Sequence, residues 1–104
     1  MIAFAIALLA AEPAPARAEL CLAHVNVMIA EAQRETGRVA GASWFIRDWW
    51  TERLPEPGGP EALNAEQRTA LELSLQARRV DDPAAWQAGL QSCVDEAIDG
   101  DALP

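Results

Sequence analysis

The chain has 104 residues, with 16 Asp and Glu against 8 Lys and Arg for a net charge of −8, and 51% of its residues are hydrophobic. That length holds one domain. The acidic balance excludes the basic stripe that a nucleic-acid binder needs and disfavours anionic membrane surfaces. It leaves a basic protein partner open.

The first segment reads as a targeting signal. Ile2 to Ala11 is an unbroken apolar run, about half the roughly 20 residues that span a bilayer. Glu12-Pro13-Ala14-Pro15 breaks any helix, and Ala16-Arg17-Ala18 is a small-x-small cleavage site. No basic residue precedes the run, and the rival reading is a buried N-terminal helix. The pattern predicts a signal peptide over residues 1–18 and a single helical domain over residues 19–104. The mature domain keeps 15 acids and 7 arginines, still −8, and has no membrane attachment after cleavage. Its place is periplasmic or secreted.

Four helices follow. The first is expected from about Glu19 to Thr36, stopped by Gly37. Cys21, Val25, Met28, Ile29 and Ala32 share its core face. Glu31, Arg34, Glu35 and Arg38 share its wet face, with i,i+3 pairs. Leu20, Ala23 and Val27 form a second apolar strip, read as cover for a long loop. His24 falls at the helix boundary, near Met28 and Glu31.

The second helix is expected from about Val39 to Leu54, with Val39, Ala42, Phe45, Ile46, Trp49, Trp50 and Leu54 on the core arc. Arg53 falls inside that arc and is expected to reach out to water. Pro55-Glu56-Pro57-Gly58-Gly59-Pro60 makes a stiff loop. It lacks the strand and Lys-Ser/Thr of a phosphate loop.

The third helix is capped by Asn64 with Gln67 three residues on, and runs to about Val80. Ala70, Leu71, Leu73, Ser74, Leu75 and Ala77 give it a wide apolar arc. The fourth starts with Asp82 as cap and Pro83 at its first position, and ends near Ile98 before Gly100. Trp86, Leu90, Cys93, Val94 and Ala97 form its apolar stripe.

Cys21 and Cys93 both point to a core face on the first and last helices. In an oxidising compartment this predicts a disulfide. Two free thiols, or a metal site joined by His24, are the alternatives, but structural zinc takes four Cys/His ligands and this chain has one histidine. Closing a loop of 73 residues is worth roughly 4 kcal/mol in the chain-entropy model, a large share for a domain of this size. The expected fold is all-α, a compact four-helix bundle with one disulfide joining its first and last helices.

No catalytic set assembles from the pattern. Ser43, Ser74 and Ser92 lie within helices without an elbow turn, and His24 is the only imidazole. The acidic pairs Asp81-Asp82, Asp95-Glu96 and Asp99/Asp101 read as caps and solvated faces, not raised-pKa acids. No cofactor, no metal and no enzymatic activity are expected. Trp44 is the candidate binding residue: it falls opposite the core arc beside Arg47 and Asp48, and exposed tryptophans anchor interfaces, the alternative being that it lies under the Pro-rich loop or against the second strip of the first helix.

Cys21-Leu22 opening the first helix and Gln91-Ser92-Cys93 in the last carry a resemblance in outline. The layout resembles the small exported two-cysteine helical proteins of Gram-negative bacteria and is similar in plan to the periplasmic acid-stress chaperones. The absence of lysine and the Trp-rich second helix depart from that plan. The resemblance implies a disulfide-closed exported helical domain and assigns no functional residue. Three readings of function follow: a non-catalytic protein-binding module, an acid-triggered periplasmic chaperone, and an inhibitor or immunity-type protein covering a basic site. For the second, protonating the carboxylates of the mature domain turns −8 into about +8 and drives self-repulsion.

Overall fold

The computed structural model describes residues 14–104. Helix α1 spans Arg17–Thr36, α2 Gly41–Thr51, α3 Ala65–Asp81 and α4 Pro83–Asp99, and these are the regular elements among the described residues. Most of the expected signal lies outside that range. Its last five residues, 14–18, do not: Arg17 and Ala18 open α1, and Ala18 is buried.

The helix ends follow from local chemistry. Gly37 closes α1 in the left-handed region at φ 70° and donates its N–H to Gln33 O at 2.9 Å. The Asn64 side chain accepts the Gln67 N–H at 2.8 Å, and the Gln67 side chain accepts the Asn64 N–H at 2.9 Å, a complete capping box. Asp82 accepts the Ala85 N–H at 3.3 Å, with Pro83 starting α4. Helix α2 is shorter at both ends than its apolar pattern suggests. Before it, Thr36 Oγ1 accepts the Arg38 N–H at 3.1 Å and holds the chain in a turn. After Thr51 the bonds tighten to Arg53 N–H on Trp50 O at 3.0 Å and Leu54 N–H on Thr51 O at 3.3 Å. Pro55 explains this, since the residue before a proline avoids the α-helical region.

Helix α1 packs against all three others, and α4 packs against α2 and α3, whereas α2 and α3 do not touch. The bundle is therefore a flattened rhombus whose short diagonal is the α1–α4 pair. Cross-contacts fix the directions. Glu19 meets Arg68 and Glu35 meets Arg79, so α1 and α3 run parallel. Cys21 meets Cys93 and Arg17 meets Glu96, so α4 runs against α1. Trp50 meets Cys93 from the end of α2, which completes an up-down-up-down order. The α2–α3 connection, residues 52–64, must cross from one far corner of the rhombus to the other. It passes the start of α1 on the way.

The Cys21–Cys93 disulfide sits on the short diagonal, with Cα atoms 5.3 Å apart and both residues buried. This withdraws both sulfurs from the metal alternative. Around it pack Val25, Ile29, Ile46, Trp50, Leu90 and Ala97, and the buried Trp50 indole donates to Cys93 O at 3.1 Å.

Three expectations change. The strip of Ala23 and Val27 is core rather than loop cover: Leu22 and Ala23 share a crevice with Leu71 and Arg68 of α3. Being the helix all others touch, α1 is apolar over more than one face. Phe45, expected in the core, is 46% exposed. The buried line of α2 is Ser43, Ile46 and Trp50, and Phe45 lies about 100° round from Ile46. Trp49 takes that side instead, its Nε1 donating to Gly100 O at 2.9 Å. Gly100 permits this because a Cβ there would collide with the indole. Finally, the wide arc of α3 divides: Leu75 is buried and Leu73 is exposed.

Candidate protein-binding surface

On α3 only Leu75 is buried, with Leu71 half-buried beside it. Ala70, Leu73, Ala77 and Val80 are exposed, Leu73 at 60% and Val80 at 75%. Their spacing of three, four and three residues puts them on one stripe. It faces away from Leu75, so α3 is apolar on two opposite sides. Ala65, Glu66, Thr69, Ala70 and Leu73 line a shallow, mostly apolar depression at its upper end. Uncharged Thr69, Ser74 and Gln76 border the stripe.

The expected binding group of Trp44, Arg47 and Asp48 is brought together on α2. Trp44 is half-buried and packs on the core, so it is less free than its wheel position suggests. The Arg47 guanidinium lies 4.9 Å from the Trp44 ring centre, and its Nη2 pairs with Asp48 Oδ1 at 3.1 Å. Each of the four tryptophans has an arginine near its ring: Arg53 at 3.5 Å from Trp49, Arg79 at 5.7 Å from Trp86 and Arg17 at 6.0 Å from Trp50 complete the set. Two of these pairs are readable as i,i+3 and i,i+4 spacings, Trp44–Arg47 and Trp49–Arg53. They explain how a tryptophan-rich helix stays covered. Arg53 does leave the core as expected, folding back over Trp49 and donating to Trp49 O at 2.9 Å.

Two polar features escape the pattern analysis. The first is Glu19, which is 2% exposed. Its Oε1 accepts from Arg68 Nε at 2.9 Å, and its Oε2 accepts from Arg68 Nη2 at 3.0 Å and from the Leu63 N–H at 2.8 Å. Burial pushes this carboxyl up, but the Arg68 and Leu63 bonds outweigh it, so its pKa lies below the ordinary value of 4.5. The clamp fixes the crossing connection and the first turn of α3 to the first turn of α1. A glutamate at a helix start and an arginine 49 residues on carry no local signal of partnership.

The second is His24, expected at a boundary but 5% exposed. It faces α4, where a Cβ on Gly89 would come within 2.9 Å of its ring, and its ring centre is 6.3 Å from that of Trp86. His24 Nδ1 and Trp86 Nε1 are buried without a hydrogen-bond partner among the described residues. Burial first, then the charges of Arg17 and Arg78, hold the His24 pKa below 6.5. Among the described residues no hydrogen bond joins the imidazole to Ser43, Ser74 or Ser92, and Ser92 instead accepts from Arg17 at 2.9 Å.

No family model, curated protein or solved structure matches this chain.

Proposed function

We propose that the protein is a small exported helical module that works by binding another protein, without catalysis, and that its docking face is the outer side of α3. The observation that carries this reading is the apolar stripe of Ala70, Leu73, Ala77 and Val80, set opposite the core-facing side of the same helix. An exposed apolar stripe on a disulfide-closed domain gains nothing for folding, and helix-in-groove or helix-on-helix docking is the use such spacing serves. The occupant is an amphipathic helix with an apolar stripe and basic flanks. The net charge of −8 attracts such a partner and opposes association with a second copy of the same chain. The Trp44, Arg47 and Asp48 group, on the other wing of the rhombus, is a second, more polar contact. The inhibitor or immunity-type role is one form of the same reading. Placement in the periplasm or outside the cell accords with the disulfide.

The test is a photo-crosslinking residue at position 73 in the exporting cell, with a control at position 48. A discrete adduct to a partner carrying a basic amphipathic helix, lost on Val80→Glu, supports the proposal. A homodimer adduct, or none, overturns it.

An acid-opened chaperone is the second reading. His24 and Glu19 favour it, because both bind protons more weakly in the fold than in the free chain. Apolar-dye binding and client aggregation at about pH 2–3 check it: a domain that stays closed and protects nothing there removes it.

A further inference from the structure

We infer that the exported precursor is cut between Ala16 and Arg17, so that the mature chain begins with Arg17 rather than Glu19. This rests on the export reading above and fixes where processing falls. Two overlapping small-x-small triplets stand in the sequence, Ala14-Pro15-Ala16 and Ala16-Arg17-Ala18, and each offers small residues at the two positions a signal peptidase reads. Composition does not separate them; the fold does.

The first triplet lies outside the folded helix. Ala14 and Pro15 are exposed, and Ala16 is extended at φ −55°, ψ 147°. Pro15 biases Ala14 toward an extended conformation in the precursor as well, the form in which a peptidase reads its substrate. The second triplet runs into the segment that forms α1.

Everything from Arg17 onward is used. Arg17 donates to Ser92 Oγ at 2.9 Å and to Glu96 Oε1 at 3.2 Å, joining the first turn of α1 to the last turns of α4. Ala18 belongs to the core, at 7% exposure. A cut after Ala18 removes both. It also shifts the end of the helix. The first four N–H groups of a helix lack carbonyl partners. With the cut after Ala16, the one bond lost is that of the Leu20 N–H to Ala16 O, at 3.0 Å. With the cut after Ala18, Cys21 and Leu22 lose their partners too, and Cys21 is fully buried. The new ammonium would then sit on Glu19, which is 2% exposed and whose carboxylate is already committed to Arg68 and Leu63. An ammonium at a helix start is opposed by the helix dipole, and in a buried position water does not relieve it. On the exposed Arg17 water does.

The step is a hydrolysis. Water adds to the Ala16 carbonyl carbon, the Ala16–Arg17 C–N bond breaks, Ala16 leaves as a carboxylate and the Arg17 nitrogen becomes an α-ammonium. The signal peptidase of the exporting membrane supplies the catalysis.

The experiment expresses the full chain in an exporting Gram-negative host and reads the periplasmic product by N-terminal sequencing and intact mass. Arg17 as first residue is the expected result. Glu19, or any other first residue, overturns the inference while leaving export standing. An uncut chain retained in the cytoplasm overturns export itself, and the inference with it. A second variant guards against a mixed product: Ala14→Glu, outside the helix and exposed, should slow processing at least tenfold. Unchanged processing of that variant overturns the assignment, because a cut after Ala18 does not read position 14.

Discussion

Two edges of α1 are held by different chemistry. Along α4 the contact is covalent and apolar at its centre, the Cys21–Cys93 bond with Val25, Leu90, Ala97 and Trp50 around it, and the Arg17–Glu96 pair lies at one end. Along α3 the contact is ionic at both ends, with Leu71 and Leu75 between. Glu19–Arg68 closes one end, and Arg79 bridges to Glu31 at 3.3 Å and Glu35 at 2.9 Å at the other, while Leu75 is the single buried residue of α3. The Glu19 side chain is the most buried acid among these pairs; Glu31 is 15% exposed and Glu35 50%, so the Arg79–Glu35 pair is the most screened and contributes least. The disulfide ties α4 to α1 whatever the pH, whereas the Glu19–Arg68 clamp on the α3 edge depends on a carboxylate that takes a proton in acid.

The largest effect should come from opening the locked edge. Reduction, or Cys21→Ser with Cys93→Ser, is expected to cost roughly 4 kcal/mol from loop closure alone. Urea unfolding with and without reductant measures it. A loss below about 1 kcal/mol would mean that apolar packing, not the crosslink, holds α4, a result within the known spread for disulfides.

Next is the anchored end of α3. Glu19→Gln keeps the shape and removes the charge, at an expected cost of about 2 kcal/mol near neutral pH, since hydrogen bonds to charged groups are worth about 1.5–3 kcal/mol. The exposure of the Arg68 side chain, 41%, argues for the lower part of that range. The folded pKa of Glu19 lies below 4.5, so the unfolded chain takes the proton first. Stability from this group is complete above pH 4.5 and is lost as pH falls through the folded value. The variant should therefore be flatter than the parent over that acid range in a chemical-denaturation series. Equal slopes would show that the clamp does not set the acid limb.

The α1–α4 edge carries the exposed Arg17–Glu96 pair and one buried titrating group, His24. Its folded pKa is lowered from 6.5, so stability is complete above that value and declines as pH falls below it, until the fold itself takes the proton. His24→Leu removes both the proton site and the unpartnered Nδ1. The parent should lose stability on going below pH 6.5, and the variant should not. Amide exchange at Gly89 and Leu90 over the same range localises the effect; protection there that is independent of pH in the parent would contradict it.

The four helices, their caps and the disulfide were legible because each has a short-range or compositional signature: Asn64 with Gln67, Asp82 with Pro83, Gly37 after Thr36, and two inward cysteines. The rotation of α2 was not. Phe45 and Trp49 are equally apolar, and what chooses between them is Gly100 on another helix, whose missing Cβ seats the indole. Glu19 was hidden because a buried glutamate reads as a surface one until its partners are known. The exposed stripe of α3 was half legible. Ala70, Leu73 and Ala77 stood out as apolar, but a wheel does not say which of two apolar sides faces the core when the neighbours are unknown. Here α1, wider in apolar cover than its main stripe, takes Leu71 and Leu75 and leaves the other side open.

That open side gives the smallest effect on stability and the sharpest test of its purpose. Leu73→Glu and Val80→Glu place charges where the side chains are already 60% and 75% exposed. Surface changes away from packing contacts alter stability within about 0.5 kcal/mol, and glutamate is at least as good a helix former as valine. The double variant should melt with the parent and keep its disulfide. If it melts well below the parent, the stripe belongs to the fold, covered by some part of the chain, and the docking proposal loses its ground. If it melts unchanged and yet loses the crosslinked partner, the stripe serves recognition and not folding. Matching changes on the other wing, such as Trp44→Ala, cannot make this separation, because Trp44 packs on the core and its loss mixes stability with binding.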